Sequence, residues 1–340
     1  MKKTLFILLS LVLTVALAAC GNGSSDKDNS SKDKKEYSEK HKMKINTTVF
    51  AFQSFAEQIG GKYVDVNSIY PPGSDIHNFE PTQKEILNIS KGDLFIYTDK
   101  EMDPAAGKIA KTIKNKDDVL SLTKGISKKD ILPGEEHEHE HEHGDHEEHG
   151  EEHDHDHEHG EEHHHHGKYD PHIWLDPVLA IKEVKTIASE LGKKYPDKKA
   201  TFDKNADAYI KKLENLNQKY TDALKDSKNR TFVTQHAAFA YLANQYDLHQ
   251  QAIAGVTPDQ EPTPSRLAEL KDFVNKNKIK VIYFEENASS KVAETLSKET
   301  GVKLEVLNPL ESLTSEQIKA GENYISVMEE NLKALKESIN

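Results

Sequence analysis

The sequence is organised around the stretch YDPHIWLDP at residues 169–177, which follows directly on a histidine-rich run. Pro171 and Pro177 bound the stretch, and each proline fixes its own φ angle and biases the residue before it away from the helical region. We therefore expect the imidazole of His172 to be held on a stiff loop. A histidine held in this way is a candidate metal ligand.

Three more candidate ligands, His77, His236 and Glu311, each follow a segment with the apolar pattern of a β-strand. Predicted strands alternate with predicted helices in both halves of the chain, which indicates parallel βαβ units. Open α/β sheets bind ligands beyond the carboxyl ends of their strands. The sequence therefore predicts that these side chains meet His172 around one zinc ion, in a cleft between two α/β lobes.

The positions of the glutamates along the chain do not decide which of them supplies the carboxylate ligand. Glu285 and Glu286 also follow a predicted strand, and Glu80 lies close to His77. His249, in a polar stretch after a predicted helix, is expected to be an ordinary solvated residue.

The elements that support this prediction follow from hydrophobic period and capping residues. Pro81 is expected in the first turn of a helix, Ser265 at the N-cap of another, and Asp176 at the N-cap before Pro177. Trp174 is predicted to line the core or the cleft. The predicted strands are 44–50, 64–70, 94–98, 231–234, 281–284 and 303–307, and the predicted helices are 54–59, 81–90, 176–191, 197–225, 237–245, 265–275, 289–300 and 315–336.

Length and charge narrow the class of protein. At 340 residues the chain is long enough for two domains. Residues 135–166 carry 15 Asp and Glu and no Lys or Arg, and without them 43 acidic residues stand against 45 basic ones. The net charge of −13 therefore comes from one insertion. The rest of the chain is close to neutral and does not indicate nucleic-acid binding.

The N-terminus has the pattern of an export signal. Two lysines precede a short apolar run that ends in Leu-Ala-Ala-Cys at Cys20, which resembles the bacterial lipoprotein cleavage box. The resemblance implies lipid attachment to Cys20, and hence anchoring on the extracytoplasmic face of the cell membrane. Cys20 is the only cysteine, so an internal disulfide and a four-thiolate zinc site are excluded.

The domain organisation follows from these composition shifts. The predicted parts are a signal peptide (1–19), a flexible tether (20–43), a first lobe (44–196), a linker helix (197–228) and a second lobe (229–340). The first lobe contains the insertion at 135–166, which alternates His with Glu and Asp and is predicted to be disordered. Its imidazoles and carboxylates are expected to bind zinc loosely.

Three segments resemble those of the zinc-binding lipoproteins that serve ABC importers, the solute-binding proteins of metal-binding cluster A-I. They are PGSDIHNFEPT at 72–82, DPHIWLDP at 170–177 and QHAAFAY at 235–241, in order around a histidine-rich insertion. The resemblance covers residues 44–340. It implies two lobes, each with a parallel sheet wrapped by helices. One long rigid helix would join the lobes, and a metal site would lie in the cleft between them.

The resemblance also implies the ligands and the partner. His77 and His172 would come from the first lobe, His236 from the second, and Glu311 would be the carboxylate, although some zinc relatives use water there. The implied partner is the permease of an ABC importer, and a monomer is expected. Manganese-importing relatives place a carboxylate where His236 stands, and imidazole favours zinc over manganese.

Three other functions remain open at this point. A zinc hydrolase would keep an open metal position with a base beside it, and the sequence contains no His-Glu-x-x-His segment. A zinc store would use the insertion as its working part. A secondary role in adhesion is sometimes ascribed to such lipoproteins.

Overall fold

Two parallel four-stranded sheets form the framework of the structure, a computed structural model that describes residues 37–74, 76–77, 79–134, 169–255 and 262–339. The strand order is β2-β1-β3-β4 in the first sheet and β6-β5-β7-β8 in the second. All pairings in both sheets are parallel. The strands are β1 (Met43–Thr47), β2 (Val64–Ser68), β3 (Leu94–Tyr97), β4 (Val119–Ser121), β5 (Thr231–Thr234), β6 (His249–Ala252), β7 (Val281–Phe284) and β8 (Lys303–Val306).

Helices connect the strands, as parallel pairing requires. The first lobe contains β1–β4 with α1–α4, and the second contains β5–β8 with α6–α9, which confirms the predicted α/β class with two lobes. The helices are α1 (Phe50–Gly60), α2 (Gln83–Ile89), α3 (Pro104–Thr112), α4 (Pro177–Lys194), α5 (Lys199–Leu224), α6 (Ala240–Gln245), α7 (Pro264–Lys276), α8 (Lys291–Thr300), α9 (Ser315–Ala320) and α10 (Tyr324–Ile339).

Three elements escaped the sequence prediction. The helix α3 and the three-residue strand β4 complete the first sheet, and β6 forms one edge of the second. The sequence of β6 is HQQA, in which the first three residues are polar. It therefore lacks the apolar pattern on which a strand prediction depends. His249 therefore lies in a strand and not in a loop, although its side chain remains exposed as expected.

Two predicted helix starts are wrong because a neighbouring threonine caps the helix instead. The Thr82 hydroxyl accepts a hydrogen bond from the Glu85 N–H, and the Glu85 carboxylate accepts one from the Thr82 N–H. This capping box starts α2 after Thr82, so Pro81 lies outside the helix. In the same way Thr263, and not Ser265, is the N-cap of α7.

The predicted last helix is two helices. Gly321 follows α9 with φ 81°, a left-handed conformation that ends the helix before α10 begins. The first helix also differs from the prediction, since α1 begins at Phe50 and not at residue 54. Its early start depends on a distant loop that is described below.

The prediction for α4 is confirmed in detail. The Asp176 carboxylate accepts a hydrogen bond of 2.7 Å from the Val178 N–H, and Pro177 occupies the first turn. The predicted apolar face, which includes Val184 and Ile187, is buried in the main core. This helix therefore fixes the end of the loop that carries His172.

Two long helices, and not one, run between the lobes. Tyr209 of α5 packs against Phe55 in the first lobe, and Tyr220 stacks on Tyr246 in the second with ring centroids 5.1 Å apart. The predicted linker is thus present, and α10 runs beside it. The Tyr324 hydroxyl at the start of α10 donates to the first-lobe carbonyl of Trp174 (2.6 Å), while the other end of α10 packs on β5 and β8.

The predicted signal peptide, Cys20, most of the predicted tether and the insertion at 135–166 lie outside the described residues. Among the helices that the structure describes, each is too short or too polar to cross a bilayer.

Candidate metal centre

His77 lies on the loop after β2, and this loop is fixed to the other lobe. Gly73 has φ 74°, a left-handed conformation suited to glycine, and its N–H donates to the Leu313 carbonyl (2.9 Å) in the second lobe. The side chain of His77 is 12% exposed. His77 is therefore the most accessible of the three candidate imidazoles.

His172 is buried on the proline-bounded loop, and Asp170 orients its ring. Oδ1 of Asp170 accepts a hydrogen bond from the His172 backbone N–H and lies 2.8 Å from the ring Nδ1. A proton on Nδ1 leaves Nε2 free to bind a metal, which is the usual arrangement of a metal-ligating histidine. Of the two aspartates flanking this loop, Asp170 makes this contact, whereas Asp176 caps α4.

His236 is fully buried two residues after β5, and Glu285 orients its ring. Thr234 of β5 pairs with Tyr283 of β7, and the same register continued by two residues brings Glu285 beside His236. The Glu285 carboxylate accordingly forms a hydrogen bond with Nδ1 of His236. The other ring nitrogen, Nε2, is buried and has no hydrogen-bond partner within the described part of the chain.

Sequence reasoning considered Glu285 only as a competing ligand. Its position as the partner of His236 depends on the strand order of the second sheet, which the local sequence does not reveal. The sequence did show two glutamates directly after β7, and the structure gives them different environments. Glu285 is buried, whereas Glu286 accepts a hydrogen bond from Gln317 at the surface.

Glu311 lies on a loop that we call the ligand strap, residues 308–313, which leaves β8 in the second lobe and attaches to the first. The first turn of α1 lacks a side-chain cap at Val49, and carbonyl groups of the strap serve as its cap. Besides the Gly73 N–H, the first-lobe donors to the strap include the Phe50 N–H to the Glu311 carbonyl (2.9 Å), the Ala51 N–H to the Leu310 carbonyl (3.1 Å) and Nε1 of Trp174 to the Pro309 carbonyl (2.7 Å).

The strap is also attached to α10. The Asn331 amide accepts from the Asn308 N–H (2.9 Å) and donates to the Asn308 carbonyl (2.7 Å). Leu310 is buried with φ 58°, an unfavourable conformation for a bulky residue that costs about 1–3 kcal/mol. Such backbone strain persists where the surroundings determine the conformation, and here both lobes hold the strap.

The four predicted ligands converge on one point. The candidate ligand atoms of His77, His172, His236 and Glu311 all lie within 4.8 Å of one another. Oε1 of Glu311 is 3.2 Å from Nε2 of His77, 3.0 Å from Nε2 of His172 and 3.8 Å from Nε2 of His236. Zn–N bonds of about 2.0–2.1 Å at tetrahedral angles place ligand atoms roughly 3.3 Å apart, so these spacings suit a zinc ion.

The electrostatics of the cluster also suit a cation. Burial alone would raise the pKa of Glu311, but the imidazoles of His77 and His172 hold it well below its usual range. For His172 burial acts in the opposite direction and lowers the pKa. The carboxylates of Asp170 and Glu311 outweigh the effect of burial and raise the pKa of His172 to about 10. The site therefore holds buried negative charge that a proton or a metal ion must balance.

Asp103 is a further acidic group near the cluster that the sequence did not indicate. It caps α3 by accepting a hydrogen bond from the Ala106 N–H (2.8 Å), and burial raises its pKa to about 6. The prediction missed it because α3 itself was not predicted.

Comparison with known proteins identifies similar chains. The model of the ZnuA family, zinc-uptake complex component A, periplasmic, matches residues 45–338. The zinc-binding lipoprotein AdcA of Streptococcus pneumoniae is 45% identical over 338 residues, which are 99% of this chain and 61% of that protein. The high-affinity zinc uptake system protein ZnuA of Bacillus subtilis is 41% identical over 336 residues, 98% of this chain and 97% of that protein.

A solved structure has the same architecture. The Zn(II)-bound ZnuA-like domain of Streptococcus pneumoniae AdcA superposes with a TM-score of 0.70 and 45% identity, covering 88% of this chain and 99% of that one. The chain spans about three fifths of the length of the streptococcal relative that it matches.

Proposed function

The chain belongs to the ZnuA family of zinc-uptake components, and on that premise we propose that it is an extracytoplasmic zinc receptor. It captures Zn²⁺ in the cleft between its lobes and delivers the ion to the permease of an ABC importer. A lipid on Cys20 holds the protein at the outer face of the cell membrane, in keeping with the lipoprotein names of its relatives. It acts as a monomer.

One observation carries the metal assignment. Nε2 of His236 is buried without a hydrogen-bond partner among the described residues and lies in the cluster with His77, His172 and Glu311. A buried polar atom left without a partner is costly, and a bound cation would satisfy it. Three imidazoles and one carboxylate are the donor set of a four-coordinate zinc site.

The ligand set also supports transport over hydrolysis. Catalytic zinc keeps one position open for water and has a general base beside it. Glu311 would occupy that position here, and Glu285 is already engaged with Nδ1 of His236. Binding without an open position holds the ion and leaves it chemically unchanged, as a receptor for cargo requires.

Partner carboxylates prepare the site for tight binding. Asp170 and Glu285 each fix one imidazole with Nε2 directed at the cluster, so little ordering remains to be done when the ion binds. Each imidazole must be deprotonated to ligate, so zinc affinity falls as the pH falls. Nitrogen-rich sites of this kind also bind copper, nickel and cobalt, and they bind manganese less well.

The test is a zinc titration of the purified chain and of the variant His236→Ala. We expect one tight equivalent in the natural chain and an affinity at least about 100-fold lower in the variant, because a ligand is lost and the Glu285 carboxylate is left buried without its partner. The measurement is competition against a chromophoric chelator.

His249→Ala is the matched control, since His249 is exposed on a strand of the same lobe. It should bind zinc as the natural chain does. A tight site that survives His236→Ala, or that disappears in His249→Ala, would refute the assignment.

A further inference from the structure

A tyrosine hydroxyl joins the elements that carry two of the proposed ligands. Tyr241 lies in the first turn of α6, a few residues after His236. Its hydroxyl donates to the Asp170 carbonyl (3.0 Å) and accepts from the Leu132 N–H (3.0 Å). One second-lobe side chain thus holds two first-lobe backbone groups.

Those two backbone groups belong to a small structural unit of the first lobe. The Asp170 N–H donates to the Leu132 carbonyl (3.1 Å), and Pro133 and Tyr169 form an antiparallel bridge beside them. The Asp170 carboxylate of the same unit orients His172. The hydroxyl of Tyr241 is therefore hydrogen bonded to the same residue whose carboxylate orients a proposed ligand.

The ring of Tyr241 is buried among first-lobe side chains. It is 2% exposed and packs in a cluster with Met102, Ile126, Ile173 and Leu179. These apolar contacts are not directional, whereas the two hydrogen bonds define one position of α6 against the loop of His172. Any movement of α6 away from the loop of His172 would break both bonds.

We propose that the Tyr241 hydroxyl is an interlobe latch, a positioning group that fixes the element carrying His236 to the loop carrying His172. This inference rests on the proposed zinc function. The latch sets how long the cleft retains its ion, because His236 withdraws from the cluster only when the latch opens. The sequence QHAAFAY therefore contains both a ligand and the device that holds it in place.

The test is the variant Tyr241→Phe in the full-length chain, which keeps the buried ring and removes the hydroxyl. Loss of two hydrogen bonds across the lobes should make the slow phase of zinc dissociation about five- to tenfold faster, with a matching loss of affinity. The measurement is stopped-flow transfer of zinc to an excess of chelator.

Tyr283→Phe is the matched control. The Tyr283 hydroxyl also makes two hydrogen bonds, to the Ala334 carbonyl (2.7 Å) and the Ser338 hydroxyl (2.9 Å), and both partners lie on α10, away from the latch. It should lower the melting temperature of the metal-free chain about as much as Tyr241→Phe does, and leave zinc dissociation within about twofold of the natural rate. Equal dissociation rates in the two variants would overturn the latch.

Amide hydrogen exchange gives a second readout that needs no variant. The Leu132 N–H should exchange more slowly in the zinc-loaded natural chain than in the metal-free chain, because zinc keeps the latch closed. Exchange at Leu132 that does not respond to zinc would overturn the proposal. A natural chain that binds no zinc would instead refute the proposed function.

Discussion

At the scale of single residues, Glu183 is the group least suited to its surroundings. It lies on the buried face of α4, and neither carboxylate oxygen has a hydrogen-bond partner among the described residues. Burial, and then the nearby charge of Asp176, raise its pKa well above the usual range. The folded protein therefore keeps a proton on Glu183 up to a higher pH than the unfolded chain does.

This difference predicts how Glu183→Gln changes stability. Above about pH 4.5 the folded state binds one more proton at this position than the unfolded state, so its contribution to stability falls by about 1.4 kcal/mol per pH unit until the folded group also ionises. The glutamine variant does not titrate. It should therefore gain stability relative to the natural chain as the pH rises above about 4.5, for as long as the folded carboxyl stays protonated, measured by denaturant unfolding with a chelator present.

Glu190→Gln on the same helix is the control, because the Glu190 carboxylate forms a surface ion pair with Lys193. Its effect should stay below about 1 kcal/mol at each pH. A stability difference for Glu183→Gln that stays constant from pH 5 to pH 7 would show that the carboxyl is not protonated in the fold.

The candidate ligands were accessible from the sequence, whereas their partners were less so. His172 was recognisable from the prolines around it, and its partner Asp170 is one of the two aspartates that flank the same loop. The choice of Glu311 over Glu285 depended on family resemblance, since both residues follow strands. Which carboxylate faces which imidazole depends on strand order, and strand order is a non-local property.

At the scale of elements, the helix ends show what local sequence does and does not specify. The helices α8 and α9 end at Gly301 and Gly321, both with left-handed φ angles, and the predicted helix 289–300 also ends directly before Gly301. The end of α7 has the same geometry without glycine, since Lys278 has φ 53°. A lysine in this conformation costs about 1 kcal/mol relative to glycine.

Lys278→Gly should therefore stabilise the protein. The side chain is exposed and has left-handed backbone geometry just past the C-cap of α7, so glycine removes strain without removing a core contact. The expected gain in the free energy of unfolding is about 0.5–1 kcal/mol, with zinc binding unchanged. The comparison variant is Lys276→Gly, inside the last turn of the same helix, which should lose about the same amount. A loss of stability in both variants would contradict the strain at Lys278.

Elements that depend on distant partners were the ones predicted least well. The early start of α1 is stabilised by carbonyl groups more than 250 positions away, and β6 is a polar strand fixed by its pairing with β5. The strands β5 and β7, by contrast, match the prediction to the residue, because each is a short apolar run.

At the scale of the whole molecule, the histidine-rich insertion joins the body at a closed junction. Pro133 and Tyr169 are bridged directly, and Asp170 and Leu132 are hydrogen bonded. The two chain ends that flank the insertion are therefore already held together by the first lobe. Removal of residues 135–166 leaves three residues to close the turn.

The shortened chain should keep one tight zinc site and lose only weak ones. Zinc at 100 times its dissociation constant should raise the free energy of unfolding by about 2.7 kcal/mol in both chains, because the four proposed ligands lie outside the insertion. The measurements are metal analysis after dialysis and thermal unfolding with and without a chelator. A shortened chain that retains no zinc would favour a storage protein.

The ligand strap imposes a particular constraint on divergence within the family. It caps α1 through backbone carbonyls, which every amino acid supplies, so the side chains of Leu310 and its neighbours can drift without uncapping the helix. A change in the number of residues between β8 and α9 would shift those carbonyls out of register with the helix start. Chimaeras that join the front half of one homologue to the back half of another should therefore tolerate point differences in this loop outside the proposed ligand Glu311, and fail when its length differs.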